Sequence, residues 1–170
     1  MKKKTLLLVV SVAFMQFMYG QPSLALLQAT YIYNFASQVE WPESYRSGDF
    51  IIYVLGDSDV YQELSKIAQA KTVGTQKIVV RKTSDANSIE KSHIVFITKA
   101  ESAGISKVAE KTLNYSTLIV GENKGLCSQG AGINFQLVND KLGFEMSNKN
   151  LKKKGLTPTS FLAKLATIVD

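Results

Sequence analysis

The chain has 170 residues, 45% of them hydrophobic, with 20 basic and 14 acidic side chains and a formal charge of +6. One cysteine excludes an internal disulfide framework, and one histidine leaves too few soft ligands for an ordinary zinc site. Setting aside the three lysines of residues 1–20, which read as an export signal, the surplus is +3, too small to argue for a nucleic-acid binder, which usually presents a clustered basic face.

The amino terminus reads as an export signal. Met1-Lys-Lys-Lys4 is followed by an uncharged, largely apolar run to Tyr19, and Gly20 supplies a small residue at a cut. A cut after Ala25 is the alternative. The run is shorter than the ~20 residues of a spanning helix, which favours a cleaved signal over a retained anchor. Removing residues 1–20 takes away three lysines and lowers the charge to +3. Residues 21–170 suit a single domain, and no repeat, linker or low-complexity tract divides them.

Leu24, Leu27, Tyr31 and Phe35, with Ile32, Ala36 and Val39, recur at helical spacing, and Pro42 marks the end of that segment. On that spacing Leu27, Tyr31, Phe35 and Trp41 face the core, while Tyr33 and Asn34 lie off the stripe and are candidate partner contacts. Phe50–Leu55 is a continuous apolar, β-branched run, which suits a strand covered on both faces. Val60–Ala70 reads as a helix, Lys77–Arg81 as a strand, and His93–Thr98 as another. Glu101–Leu113 has helical spacing, and Thr117–Gly121 is the next strand. Alternating strands and helices imply βαβ units and a mostly parallel sheet.

Beyond Gly121 the pattern changes. Ile133–Val138 and Leu142–Met146 each alternate apolar and polar residues around Asn139-Asp140, as an antiparallel hairpin at a sheet edge does. A last helix is expected from Thr157-Pro158, burying Phe161, Leu162, Leu165, Ile168 and Val169. The fold class is therefore α/β: one layered domain, mostly parallel sheet flanked by helices, with an antiparallel carboxyl-terminal hairpin.

Few residues offer catalytic chemistry. His93 lacks a second histidine or an evident nucleophile, and reads as a strand-end side chain bonded to the backbone. The segment Gly121–Gly132 lacks the Gly-Lys-Ser/Thr ending of a phosphate loop and precedes a strand. Its glycines suit a long turn with positive φ. A loop at the carboxyl end of a parallel strand nevertheless lies where open α/β sheets hold ligands. Gly56, Asp57, Glu122, Gly130 and Gly132 are accordingly the candidate ligand-binding residues. Asp57 is assigned to the turn and Asp59 to the cap of the next helix. Lys152-Lys-Lys154 reads as a solvated helix end, with contact to anionic lipid or an acidic partner as its alternative. Residues alone point to an exported binding or interaction domain without catalytic residues, metal or cofactor.

Taken in order, several short motifs carry a resemblance. They are Tyr31-Ile-Tyr-Asn-Phe35 with Trp41-Pro42, Leu55-Gly56-Asp57, His93-Ile-Val-Phe-Ile97 and Val120-Gly121-Glu122. They continue through Gly130-Ala-Gly-Ile-Asn-Phe135, Phe144-Glu145, Gly155-Leu156 and Leu162-Ala-Lys-Leu-Ala166. Together, over about residues 26–169, they resemble the YfiR family of exported regulators.

The resemblance implies a periplasmic, homodimeric α/β protein and regulation instead of catalysis. It implies binding to the periplasmic part of an inner-membrane diguanylate cyclase or related sensor kinase, lowering cyclic di-GMP and biofilm formation. An outer-membrane lipoprotein that sequesters the repressor is the further implied partner. Some members carry a cysteine pair around the glycine loop. Cys127 matches the first position, but Asn134 stands seven residues on, so control by an internal disulfide does not carry over. The reading that competes with repression is a small-molecule receptor using a strand-end pocket.

Overall fold

A computed structural model describes residues 22–139 and 141–170. The export signal expected in residues 1–20, and Asp140 of the hairpin turn, lie outside the described residues.

Helix α1 (Leu24–Gln38) opens with Ser23 as its cap: the Ser23 hydroxyl oxygen accepts from the Leu26 N–H at 3.1 Å. Its buried positions are Gln28, Ala29, Ile32, Phe35 and Ala36. The buried stripe is thus rotated from the expected one, and Leu24 is exposed while Leu27 and Tyr31 are half-buried. Two residues of strand, β1 (Val39–Glu40), and then Trp41 separate the helix from Pro42.

The main sheet is built from β2 (Phe50–Leu55), β3 (Thr72–Val73), β4 (Gln76–Thr83), β5 (Ile94–Ile97), β6 (Leu118–Gly121), β7 (Ile133–Val138), β8 (Lys141–Met146) and β10 (Thr167–Ile168). A small separate pair joins β1 to β9 (Thr157–Pro158). Helices α2 (Val60–Ala70), α3 (Ile105–Lys111), α4 (Asn148–Lys153) and α5 (Ser160–Leu165) complete the chain. The strand order is β10-β8-β7-β6-β5-β2-β4-β3, and β4, β2, β5, β6 and β7 run parallel. Among these five the chain order is 2-1-3-4-5, the doubly wound pattern.

Two apolar cores follow from strands covered on both faces. On one face α1 and α2 pack through Phe35, Val60 and Leu64 over Ile52, Phe96, Val120 and Phe135. On the other, Ile105 and Val108 of α3 pack with Leu126 over Leu55, Val95 and Ile119. An aromatic cluster ties α1 to the hairpin. Phe35 lies 5.0 Å from Phe144 and 5.8 Å from Phe135 between ring centroids, and Tyr31 lies 5.8 Å from Phe144. Each such pair adds about 0.5–1.5 kcal/mol beyond its buried area.

The structure corrects several expectations drawn from periodicity. The 101–113 segment is helical only from Ile105; Lys99–Gly104 forms a tighter 3-10 turn. The hairpin does not occupy the sheet edge, because β10 pairs parallel to β8 beyond it. The last helix stops at Leu165, and Thr157-Pro158 belongs to β9 instead of its first turn. Of its expected stripe only Leu162 is buried; Phe161, Leu165 and Ile168 are exposed, and Val169 is half-buried. Asp59 makes no capping bond; the Ser58 hydroxyl oxygen accepts from the Val60 N–H at 3.2 Å.

Candidate functional site

The parallel strands deliver their carboxyl ends to one rim of the sheet. After β2 the chain turns through Gly56 (φ +100°) into α2, and after β5 it turns through Thr98 into the helical segment of the opposite face. The switch of faces between neighbouring β2 and β5 is where doubly wound sheets open a crevice. Here protein fills that crevice. A Cβ at Gly56 would overlap the Thr98 hydroxyl and the Glu101 side chain, and the buried Thr98 Oγ1 has no hydrogen-bond partner.

Open space lies to either side. One cleft of about 480 Å³ sits over the ends of β2 and β4, lined by Gly56, Asp57, Lys82, Thr83 and Ser84. Lys82 Nζ donates to Asp57 Oδ1 at 3.1 Å and stands 5.6 Å from the Tyr61 ring centroid. The second cleft, about 390 Å³, lies between the start of α1 and the hairpin. Leu24, Phe135, Leu137 and Leu142 give it apolar walls, and Gln28, Lys99, Glu122 and Gln136 give it polar ones. Leu24 and Leu137 stand 53% and 68% exposed at its rim.

Glu122 organises this second cleft from within. Its Oε2 accepts from Gln28 Nε2 at 2.6 Å and its Oε1 from the Lys99 N–H at 2.7 Å. The carboxylate therefore pins α1 and the β5 exit to the end of β6. Such charge-assisted bonds are about twice as strong as neutral ones. It leaves Glu122 a positioning group for the cleft wall.

The sequence-derived ligand residues do not form one site. Gly56 and Asp57 line the first cleft and Glu122 the second. Gly130 and Gly132 line neither, for reasons of packing and turn geometry. Gly130 (φ +115°) closes a 3-10 turn, while a Cβ on Gly132 would stand 2.8 Å from Leu118 Cδ1 and 2.9 Å from Leu151 Cδ2. The partner candidates divide as well. Asn34 is exposed, whereas Tyr33 is half-buried against the core, with its hydroxyl 3.4 Å from the Thr72 carbonyl oxygen. Sequence reasoning missed Lys82, Thr83 and Lys99, although each sits at or beside the carboxyl end of a parallel strand. Gln28 was hidden by its place on a helix, since periodicity does not mark a polar residue as buried.

His93 and Cys127 are both buried within the fold. His93 is buried at the amino end of the sheet, stacked on Phe50 at 4.0 Å and edge-on to Trp41 and Tyr45. The Ile51 N–H donates to its Nδ1 at 3.1 Å, and its Nε2–H donates to the Tyr45 carbonyl oxygen at 2.8 Å. Burial, above all, lowers its pKa from 6.5 and keeps the ring neutral. Cys127 is buried, and burial with the nearby carboxylates of Glu145 and Asp170 pushes its thiol up to about 12. Among the described residues, no cluster of three His, Cys, Asp or Glu side chains could hold a metal ion, and no helix is long and apolar enough to cross a membrane.

Comparison with known proteins adds to this geometry. A family model described as YfiR/HmsC-like matches residues 25–167. No curated protein matches the sequence. The crystal structure of a conserved domain protein from Vibrio cholerae O1 biovar eltor superposes with a TM-score of 0.62 at 12% identity. The match covers 87% of this chain and 60% of that one, so the present chain spans a little over half of its length. At that identity the likeness shows the shared fold.

Proposed function

The chain belongs to the YfiR/HmsC-like family, and on that premise we propose that it is a periplasmic regulator that binds and represses an inner-membrane signalling enzyme of the diguanylate cyclase type. In this reading residues 1–20 direct export and are removed, and residues 21–170 act as one domain. The mature protein lowers cyclic di-GMP without catalysing a reaction, works as a homodimer, and can be drawn off the enzyme by an outer-membrane lipoprotein.

The family match over residues 25–167 carries the reading. The surface is compatible with it. The second cleft offers apolar Leu24 and Leu137 beside polar Gln28, Lys99 and Gln136, an apolar centre with a polar rim of the kind protein interfaces use. Exposed Phe161, Leu165 and Ile168 near the β10 edge form a second apolar set suited to the other copy or the lipoprotein.

A receptor for a small polar molecule is the second reading, favoured by the cleft over Gly56, Asp57, Lys82 and Thr83. The two combine if a ligand there changes affinity for the enzyme. The test is cyclic di-GMP in cells that lack the gene, complemented with the wild-type chain or with Leu24→Asp/Leu137→Asp. The reading predicts a rise on deletion, reversed only by wild type. An unchanged nucleotide level on deletion contradicts repression.

A further inference from the structure

The opposite end of the sheet carries a feature that the clefts do not use. Lys154 caps the carboxyl end of α4 and reaches the end of α3: its Nζ donates to the Thr112 carbonyl oxygen, and Thr112 Oγ1 is 3.3 Å away. That contact brings α4 against the turn that follows α3. Lys111, at the end of α3, is exposed, as are Lys149, Lys152 and Lys153 on α4. Among the described residues, none of these four stands within ion-pair distance of a carboxylate. On the same turn Leu113 is 71% exposed, the largest exposure among the exposed large apolar side chains of the described residues.

We propose that this lysine-bearing end of the sheet, with exposed Leu113 on the turn after α3, docks the protein onto an anionic phospholipid surface. A solvated helix end accounts for Lys152 and Lys153, which favour the negative pole of α4. It does not account for an exposed leucine beside them. Exposed lysines and a protruding apolar side chain at one end of the sheet match the interfacial mode, in which the apolar group enters the headgroup boundary and the cations stay among the phosphates. All four cations are lysines. Their compact point charges suit a diffuse anionic surface, whereas arginine forks suit paired carboxylates in a protein partner. Glu110 adjoins Lys111 on α3, and at the start of α4 Asp170 accepts from Ser147 Oγ and the Lys149 N–H. The inference needs no particular protein partner. It adds a means of concentrating the chain at a membrane.

The test is co-sedimentation of residues 21–170 with phosphatidylcholine vesicles, alone or with phosphatidylglycerol, at low and high salt. Wild type should bind only the anionic vesicles, and high salt should release it. At roughly fivefold per lysine near an anionic surface, Lys111→Gln/Lys152→Gln/Lys153→Gln should weaken binding on the order of a hundredfold. Leu113→Ser should weaken it with the charge unchanged, and Lys164→Gln, on α5, should not. Circular dichroism checks that each variant is folded. Equal binding to neutral vesicles, no binding to anionic ones, or unchanged binding by the triple variant overturns the proposal. So does capture of an acidic polypeptide by the same lysines when anionic vesicles are ignored.

Discussion

Gln28 and Glu122 meet at 2.6 Å although 94 residues separate them in the chain. Gln28 is buried on α1, and Glu122 leaves the end of β6. This bond and the bond from the Lys99 N–H fix the wall of the second cleft. Replacing Glu122 with Ala strands the Gln28 amide and leaves the Lys99 N–H without its acceptor. We expect a loss of about 1–3 kcal/mol, read as a lower urea midpoint. Retention of full stability would mean that water replaces the carboxylate and that the wall is not held in this way.

Two glycines among the candidate ligand residues should behave as a packing residue, Gly132, and a turn residue, Gly130. A methyl at Gly132 meets Leu118 and Leu151, so Gly132→Ala should cost about 1–3 kcal/mol through overpacking. Gly130→Ala should destabilise as well, because φ +115° is strained for any side chain. Thermal melts measure both. A ligand-binding role for either glycine would instead show as lost ligand affinity at unchanged stability.

His93 gives the fold a pH dependence with a definite sign. Its folded pKa lies below the ordinary 6.5, so the unfolded chain binds more protons in the interval between them. The contribution is complete above about pH 6.5 and is lost as pH falls toward the folded value. Urea titrations at about pH 8 and pH 5.5 should therefore show higher stability at the higher pH, with the difference reduced in His93→Gln. An equal difference in that variant would assign the effect to carboxylates elsewhere.

Cys127 should be slow to react. The thiolate is the reactive form, and a thiol raised to about 12 inside the protein is almost wholly protonated at neutral pH. A disulfide reagent should label the native chain far more slowly than the unfolded one. Rapid native labelling, or a second chain linked through Cys127 under mild oxidation, would contradict the buried position.

The sheet was largely legible in the sequence because its strands are short, apolar and β-branched, and two faces of cover leave little ambiguity. Phe50–Leu55 is recovered with the same boundaries, and the hairpin to within one residue. The carboxyl-terminal segment was not legible. Phe161, Leu165 and Ile168 have the spacing of a buried stripe, yet β10 leaves the helix to extend the sheet and all three face outward. Apolar periodicity reports which side chains share a face, not whether this chain or another covers it. The site was half legible: Gly56, Asp57 and Glu122 mark strand ends correctly, but the filled crevice between β2 and β5 depends on Thr98 and Glu101 meeting Gly56. No local pattern encodes that meeting.

The exposed leucines of the second cleft separate folding from binding. Leu24 and Leu137 bury little against the chain itself, so Leu24→Asp and Leu137→Asp should change stability by no more than about 0.5 kcal/mol. The same changes should abolish partner capture, because a charge at the centre of an apolar contact must be desolvated.

The decisive measurement is cross-linking of a tagged chain in its native envelope, followed by identification of what it carries with it. Regulation through a membrane signalling enzyme predicts recovery of an inner-membrane cyclase or sensor kinase with wild type, and its loss with Leu24→Asp/Leu137→Asp at equal expression. Efficient cross-linking that yields only the chain's own copies would contradict that account.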